Sequence, residues 1–255
     1  MRNIVFGFLC ASLLLLSGSA AVAQEKTPTV YTFVAEWNIP RDQWGAYVDF
    51  NEKTLRPVLE RLSGDGTLIG WGNFATVVHS VEGPTHGSWF TANSVAAIEK
   101  ARLELIKVAT SPITAKAAHW DFLLRSDTYG ARSTAPSSGY LYVNTVRLRP
   151  GKSQDWEDLW NKYSKPTFEQ LMSDGTLLAY SVDLEDVHTD NPYNRFVVTV
   201  SSNADAEDKM NAAFEAVGAK RSAEESRAIG DAFTAATDRE AHRDYFAQVI
   251  SYWHK

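Results

Sequence analysis

The chain has 255 residues and a formal net charge of −6 at pH 7, from 25 basic and 31 acidic side chains. It contains no basic run, so we expect no nucleic-acid partner, because phosphate binding needs a concentrated positive surface. Its single cysteine, Cys10, excludes intramolecular disulfides and cysteine-rich metal sites.

The first residues have the form of a cleavable signal peptide. A basic start precedes an apolar run over 4–16, which is shorter than the roughly 20 residues of a membrane-spanning helix. The sequence Ala-Val-Ala at 21–23 fits the small-x-small pattern that signal peptidase cuts. We therefore expect a signal peptide over 1–23 and a periplasmic or secreted mature chain from Gln24, with no membrane contact after cleavage.

The mature part contains an internal repeat. An ungapped shift of 109 residues (140 minus 31) places Tyr31–His79 on Tyr140–His188, with an identical Asp-Gly-Thr-Leu block at 65–68 and 174–177. In each copy, an alternating aromatic and polar segment predicts a strand, and apolar residues at helical spacing predict a helix. The strands predicted in the first copy are Tyr31–Asn38, Leu68–Ser80, Gly87–Ala92 and Trp120–Ser126. Those predicted later in the second copy are Leu177–His188, Arg195–Ser201 and Tyr245–Trp253.

The order β-α-β-β-α-β in each copy is that of a ferredoxin-like unit, so the fold class is α+β. We predict a first unit over 24–129, a linker over 130–138 and a second unit over 139–255. The second unit has a longer second helical region, because Asp244-Tyr245 aligns with Asp121-Phe122 only at a larger offset than 109.

Two such units in tandem, with an aromatic first helix and a long second strand, resemble the dimeric α/β-barrel superfamily. The resemblance implies that the two units pack as an intramolecular dimeric α/β barrel, in a chain that is a monomer (a pseudo-dimer) or forms a homodimer. The superfamily includes cofactor-free monooxygenases, isomerase-like and cyclase-like enzymes, and the haem-binding chlorite dismutase and dye-decolorising peroxidase groups. No cofactor is predicted from the residues themselves, while the resemblance also allows haem.

Three residues are candidates for proton transfer. His79 and His188 occupy equivalent repeat positions at the end of the second strand, where an imidazole could act as a base or a ligand, or simply lie on the surface. Glu36 lies on the first strand, and a carboxylate facing a pocket becomes a base when burial raises its pKa. A solvent-facing or ion-paired Glu36 is the alternative.

Strand parity selects a further set of residues that either line a pocket for a flat apolar ligand or belong to the core. These ligand-binding candidates are Trp37, Trp71, Trp89, Tyr142, Asn144, Tyr180 and Arg195. Asn144 and Arg195 would supply polar contacts to a ligand oxygen. No histidine pair has the spacing of a known metal motif, so no metal site is predicted.

Two main functions remain open at this point. The first is an exported protein that binds a small, largely apolar or aromatic molecule in a pocket between sheet and helices. The second is a cofactor-free monooxygenase-like or isomerase-like enzyme, with haem binding as a third alternative. A module that works by association through an exposed apolar patch is also compatible with the sequence.

Overall fold

A computed structural model describes residues 29–78, 82–188 and 191–255, without the side chain at position 136. The predicted signal peptide and His79 lie outside the described residues. No helix within the described ranges is long and apolar enough to cross a membrane.

The described chain alternates strands and helices in the order that the repeat predicts. The strands are β1 (Tyr31–Asn38), β2 (Gly70–Val78), β3 (His86–Ala92), β4 (Ala118–Ala131), β5 (Thr134–Leu148), β6 (Leu177–Glu185), β7 (Asn194–Ser201) and β8 (Thr237–His254). The α-helices are α1 (Trp44–Phe50), α2 (Arg56–Gly64), α3 (Val95–Ile106), α4 (Ser153–Leu159), α5 (Lys165–Ser173), α6 (Asp205–Gly218) and α7 (Ala223–Ala236).

The strands form one closed antiparallel barrel in the order β1-β3-β2-β8-β5-β7-β6-β4. Each half supplies four neighbouring strands, β4-β1-β3-β2 and β8-β5-β7-β6, and two seams join the halves where β2 pairs with β8 and β4 with β6. The strand register is the same in the two halves. Val34 lies opposite Phe122 in the first half, and the equivalent Val143 lies opposite Tyr245 in the second. Closing the sheet in this way leaves no unpaired strand edge.

The stretch predicted as a linker, 130–138, contains the end of β4 and the start of β5, with only 132–133 between them. The end of β4 pairs across a seam, where Gly130 lies opposite Tyr180 of β6. The start of β5 pairs within its own half, where Thr134 lies opposite His254 of β8. Strand pairing on both sides therefore explains why a segment rich in Gly, Pro and Ser is extended.

The first helix of each half contains a π-helical turn, Asn51–Leu55 or Trp160–Ser164. Pro57 and Pro166 follow in the first turn of α2 and α5. A proline lacks the N–H that a continuous helix requires, and the wider turn before it leaves the helix free to continue.

Side chains alternate between the two faces of the barrel wall, as strand geometry requires. Outward side chains pack against helices in two clusters, one for each half, centred on Trp71 and on Phe168. Inward side chains form a third cluster that includes Phe74 and Val249. The fold therefore offers two kinds of space, one between sheet and helices and one inside the barrel.

Candidate functional site

A pocket of about 500 Å³ lies between the sheet and the helices of the second half. We call it the sheet-helix pocket. Its walls are mainly aromatic, with polar groups along one side. They include Tyr142, Asn144, Trp156, Trp160, Phe168, Val197, Thr199, Glu207, Phe214, Phe233 and His242.

At the equivalent place in the described part of the first half, larger apolar side chains pack between the sheet and the helices. Phe90 stacks on Phe33 with 5.3 Å between ring centroids, whereas the register puts Thr199 opposite Tyr142 in the second half. Ile98 is buried in the first half, and Glu207 occupies the equivalent helical position (98 plus 109) in the second. Two substitutions between the copies thus open one pocket and make it more polar.

A histidine held by two polar partners stands at the side of this pocket. The Nε2 atom of His242 lies 2.9 Å from Asn144 Nδ2 and 3.2 Å from Asp244 Oδ1. Neutral Nε2 accepts from the amide, and protonated Nε2 donates to the carboxylate, so both protonation states have a partner. This arrangement can take a proton from a ligand and hold it.

Two ionisable side chains near His242, Tyr142 and Glu207, have raised pKa values, so their protonated, neutral forms are favoured. Burial raises the pKa of Tyr142 to about 12, and the nearby charge of Asp244 adds to the increase. Burial also raises the pKa of Glu207, and Asp208 and Asp244 contribute in the same direction. An incoming anion would face these carboxylates, so the pocket suits a neutral molecule.

One buried donor in the pocket wall has no partner within the described structure. Trp160 lines the pocket and is 5% exposed, and its indole Nε1 makes no hydrogen bond to a described atom. It begins the π-helical turn of the second half, a type of irregularity that often occurs at functional sites. A ligand oxygen could satisfy this indole, since an unpaired buried donor costs free energy.

A second cavity, of about 260 Å³, lies inside the barrel. Glu36 points into it from β1 and accepts a hydrogen bond of 3.0 Å from the Tyr245 hydroxyl. Burial raises the pKa of Glu36 to about 7, although the tyrosine bond acts in the opposite direction. Elsewhere in this barrel cavity, burial raises the pKa of Asp183 to about 6, and Ser126 and Ser181 each donate to it at 2.6 Å.

The structure divides the predicted ligand residues among four places. Tyr142 and Asn144 line the sheet-helix pocket, and Trp89 lines the barrel cavity. Tyr180 borders the barrel cavity and also stacks on Phe168, with 5.5 Å between ring centroids. The remaining three candidates are described next.

Trp37, Trp71 and Arg195 line neither of these two cavities. Trp71 is fully buried beneath the helices of the first half, and Trp37 lies 5.9 Å from the ring of Tyr47. Arg195 is buried, donates to the carbonyl of Asn194, and has its Nε 3.9 Å from Asp127. The contacts of these three side chains are therefore with other residues of the fold and not with either cavity.

Of the predicted proton-transfer residues, Glu36 lies in the barrel cavity and His188 is exposed after β6. The two are therefore not parts of one site. His242 and Asp244 were not among the predicted residues, although the sequence carries a signal for them. Aligning Asp121 with Asp244 also aligns His119 with His242, so a His-x-Asp pair recurs in both copies.

Neither cavity, as described, offers haem both an unoccupied histidine nitrogen and sufficient space. In the sheet-helix pocket, the Nε2 of the lining His242 is already held by Asn144 and Asp244, and its side chain is 47% exposed. The barrel cavity holds His254, but 260 Å³ is less than twice the volume of an engineered cavity of roughly 150 Å³ that binds one benzene. Within the described ranges, no three His, Cys, Asp or Glu side chains converge as a metal site.

No family model and no curated protein sequence matches this chain. Solved structures do match. A provisionally assigned monooxygenase from Lactobacillus acidophilus NCFM superposes with a TM-score of 0.59 at 10% identity, over 89% of this chain and 96% of its own. A second, from Fusobacterium nucleatum subsp. nucleatum ATCC 25586, has a TM-score of 0.60 at 10% identity, over 90% and 96%.

An anthrone oxidase-like protein superposes with a TM-score of 0.50 at 13% identity, covering 90% of this chain and 94% of its own. At such identities the likeness concerns the fold alone. Together with the closed eight-stranded barrel, these neighbours confirm the predicted α+β class and the dimeric α/β-barrel type of fold.

Proposed function

We propose that this protein binds a small, neutral, largely aromatic molecule in the sheet-helix pocket of its second half. The observation that carries the proposal is the difference between the two copies. One copy fills its sheet-helix interface with Phe33, Phe90 and Ile98, whereas the other keeps an aromatic-walled space of about 500 Å³. Maintaining such a space costs packing energy, which a ligand would restore.

The size and chemistry of the pocket favour a planar molecule of about three fused rings that carries one oxygen. An apolar cavity of roughly 150 Å³ holds benzene, and this pocket has about three times that volume. The Asn144 amide would meet the ligand oxygen, and the unpaired but inaccessible Trp160 Nε1 would reach it after a small rotation of the indole. Anthrone, with three rings and one carbonyl, is therefore a suitable probe.

The test is anthrone binding under nitrogen by the purified protein and by the Thr199→Phe variant, which restores the residue of the first copy. The variant should lose at least tenfold in affinity, because a phenyl ring at 199 would fill the pocket as Phe90 fills its counterpart. A Ser88→Phe variant changes the first half and serves as the control. Equal affinity in wild type and Thr199→Phe, both folded, would refute the proposal.

A second candidate function is a cofactor-free oxygenase or isomerase, and it is favoured by the placement of His242. Once a ligand displaces the Asn144 amide, Nε2 would remove a proton from an activated carbon of the bound molecule, and Asp244 would stabilise the resulting imidazolium. With anthrone, the carbanion would then transfer its electrons to dioxygen, so that anthrone and O₂ yield anthraquinone and water. The fold neighbours assigned as monooxygenases support this alternative.

The chain offers a matched control for this activity. His242→Ala should lower the rate of anthrone oxidation by about 100-fold or more toward the spontaneous rate, the usual range for a general base. His119→Ala removes the equivalent histidine of the first half, which lies 3.8 Å from Asp121 and lines neither cavity. Equal rates of anthrone oxidation in the two variants would contradict a catalytic role of His242 and leave ligand binding as the proposed function.

We infer that each half is one ferredoxin-like unit, and the equivalent strand orders β4-β1-β3-β2 and β8-β5-β7-β6 support this. We also infer export to the periplasm or the medium, supported by the signal-like sequence over 1–23. Expression in a Gram-negative host followed by N-terminal sequencing should give Gln24 as the first residue. A cytoplasmic protein that retains residues 1–23 would contradict export.

A further inference from the structure

The barrel cavity is separate from the sheet-helix pocket, because the strands between them alternate their side chains. On β7, Val198 faces the barrel cavity, and its neighbour Val197 faces the sheet-helix pocket. The apolar part of the barrel lining combines aliphatic and aromatic side chains from both halves. It includes Val34, Phe74, Trp89, Phe122, Leu124, Leu141, Val143, Phe196, Val198 and Val200.

The hydrogen-bonded pair in this cavity breaks the symmetry of the repeat. Glu36 corresponds to Thr145 in the second copy, and Tyr245 corresponds to Phe122 in the first. Both counterparts also line the cavity, yet Phe122 has no hydroxyl with which to form a second such bond. The fold therefore tolerates uncharged residues at these positions, and the carboxyl is an added polar feature.

Two further polar atoms in the cavity wall lack partners within the described structure. The Tyr252 hydroxyl is buried without a hydrogen bond, in a residue that is only 2% exposed. His254 Nε2 is also buried and unpaired, while its Nδ1 lies 2.9 Å from the carbonyl of Lys255. Because Nδ1 donates to that carbonyl in the neutral ring, Nε2 is left as an acceptor. The cavity thus holds one unused donor and one unused acceptor.

Charge and volume restrict what could occupy this space. Glu36 and Asp183 are buried carboxyls, and none of the described residues that line the cavity is Lys or Arg. An anionic ligand would therefore lie in a site of low polarity with no cation to balance it, which is costly. A volume of about 260 Å³ suits about two fused rings, given that one benzene occupies a cavity of roughly 150 Å³.

We propose that the barrel interior is a second binding site, distinct from the sheet-helix pocket, for a neutral two-ring aromatic molecule that carries a hydroxyl group. The Tyr252 hydroxyl and His254 Nε2 lie just behind the cavity surface, and small rotations of these side chains bring them to the ligand oxygen as donor and acceptor. The Glu36 and Tyr245 side chains satisfy each other, as Asp183 and Ser181 do, and most of the remaining wall is apolar. The site does not depend on the function proposed for the sheet-helix pocket.

The probes are 2-naphthol, which is neutral at pH 7, and 2-naphthoate, which has the same rings and a negative charge. Isothermal titration of the full mature protein should show 2-naphthol binding and at least tenfold weaker binding of 2-naphthoate. Equal affinity for both probes would overturn the assigned ligand class. No binding of 2-naphthol would overturn the site itself.

Adjacent valines on β7 locate the binding. Val198→Phe fills the barrel cavity and should reduce 2-naphthol affinity at least tenfold, while anthrone binding in the sheet-helix pocket stays unchanged. Val197→Phe is the matched control. It should reduce anthrone affinity at least tenfold and leave 2-naphthol binding unchanged. Loss of 2-naphthol binding only in Val197→Phe would place this ligand in the sheet-helix pocket and refute the barrel site.

A milder variant covers the case in which Val198→Phe does not fold. Tyr252→Phe removes one hydroxyl and retains the ring, and it should weaken 2-naphthol binding about fivefold, the usual effect of one lost neutral hydrogen bond. Binding of naphthalene, which lacks the oxygen, should not change. Tyr193→Phe, at an exposed tyrosine, is the control. Unchanged 2-naphthol affinity in a folded Tyr252→Phe protein would contradict the proposed contact.

Discussion

The Tyr245 hydroxyl donates a 3.0 Å hydrogen bond to Glu36 across the barrel interior, and so connects β8 with β1. These strands belong to different halves and are not neighbours in the barrel, where β3 and β2 lie between them on one side. The contact is therefore made by side chains through the interior and not through the sheet ladder. It places a carboxyl where burial favours the protonated form.

The first prediction concerns stability against pH. The pKa of Glu36 rises from 4.5 in the unfolded chain to about 7 in the fold. The folded state therefore holds the Glu36 proton more tightly, so the contribution of Glu36 to stability is fully present below about pH 4.5 and is lost as the pH rises through about 7. Glu36→Gln should remove this fall and stabilise the protein at pH 8 by on the order of 3 kcal/mol.

Urea denaturation at pH 5 and pH 8 measures this effect. Glu82→Gln, at an exposed loop carboxyl, is the control and should leave the difference between the two pH values as in wild type. The same fall in stability between pH 5 and 8 in Glu36→Gln would show that Glu36 does not carry it. Asp183, whose pKa is raised to about 6, would then be the next residue to substitute.

The second prediction concerns Trp71, a residue that the sequence also allowed to be a ligand contact. The side chain is 0% exposed and packs among the helices of the first half. Trp71→Ala should reduce the free energy of unfolding by about 3–5 kcal/mol, the range for a large aromatic deleted from a core. Anthrone affinity of the protein that remains folded should equal that of wild type. A selective loss of binding with little loss of stability would contradict this.

The third prediction compares two glycines. A Cβ at position 139 would clash with the backbone oxygen of Ser201, so Gly139→Ala should disrupt the pairing of β5 and β7 and destabilise the protein severely. A Cβ at position 45, in α1, would contact no atom within 4 Å. Gly45→Ala should therefore stabilise by about 0.5–1 kcal/mol, because alanine loses less backbone entropy in a helix. Thermal unfolding of the two variants shows whether each substitution raises or lowers the stability of the protein.

The fourth prediction compares two helix caps. The Ser222 side chain accepts from Glu225 N at 3.1 Å and caps α7, which supplies Phe233 to the sheet-helix pocket. Ser94 caps α3 in the same way in the first half. Each Ser→Ala variant should lose about 1 kcal/mol of stability. Only Ser222→Ala should also weaken anthrone binding. Equal anthrone affinity in the two variants would show that α7 does not contribute to the pocket.

The repeat in the sequence was sufficient to predict the order of elements and the faces of the first strand. Glu36 faces the barrel cavity whereas Tyr31 and Phe33 pack on the helix side, as the alternation of side chains along a strand predicts whatever its partners are. The Asp-Gly turns at 65–66 and 174–175 also follow from local chemistry, and Gly66 and Gly175 both have positive φ. Local rules therefore account for much of the fold.

The contents of the two cavities could not be predicted in this way. The Glu36 and Tyr245 contact joins residues 209 positions apart, and which inward side chains meet depends on how two sheets close on each other. The sequence also could not decide whether Trp71 belongs to the core or to a pocket, since aromatic residues at strand spacing fit both equally well. The recurring His-x-Asp pair was readable, but only the structure shows which copy faces an open pocket.

Strand β8 pairs with β5 along its length, and its C-terminal half also pairs with β2, so that Tyr252 lies opposite Gly72 and Ser137. Until β8 is in place, β2 has an unpaired edge in a half that is otherwise ready to assemble. Such an edge can recruit a strand from another molecule. Folding should consequently be slow and prone to strand exchange between chains, as expected when contacts join distant parts of a sequence. We therefore expect the closing strand to couple the assembly of the two halves.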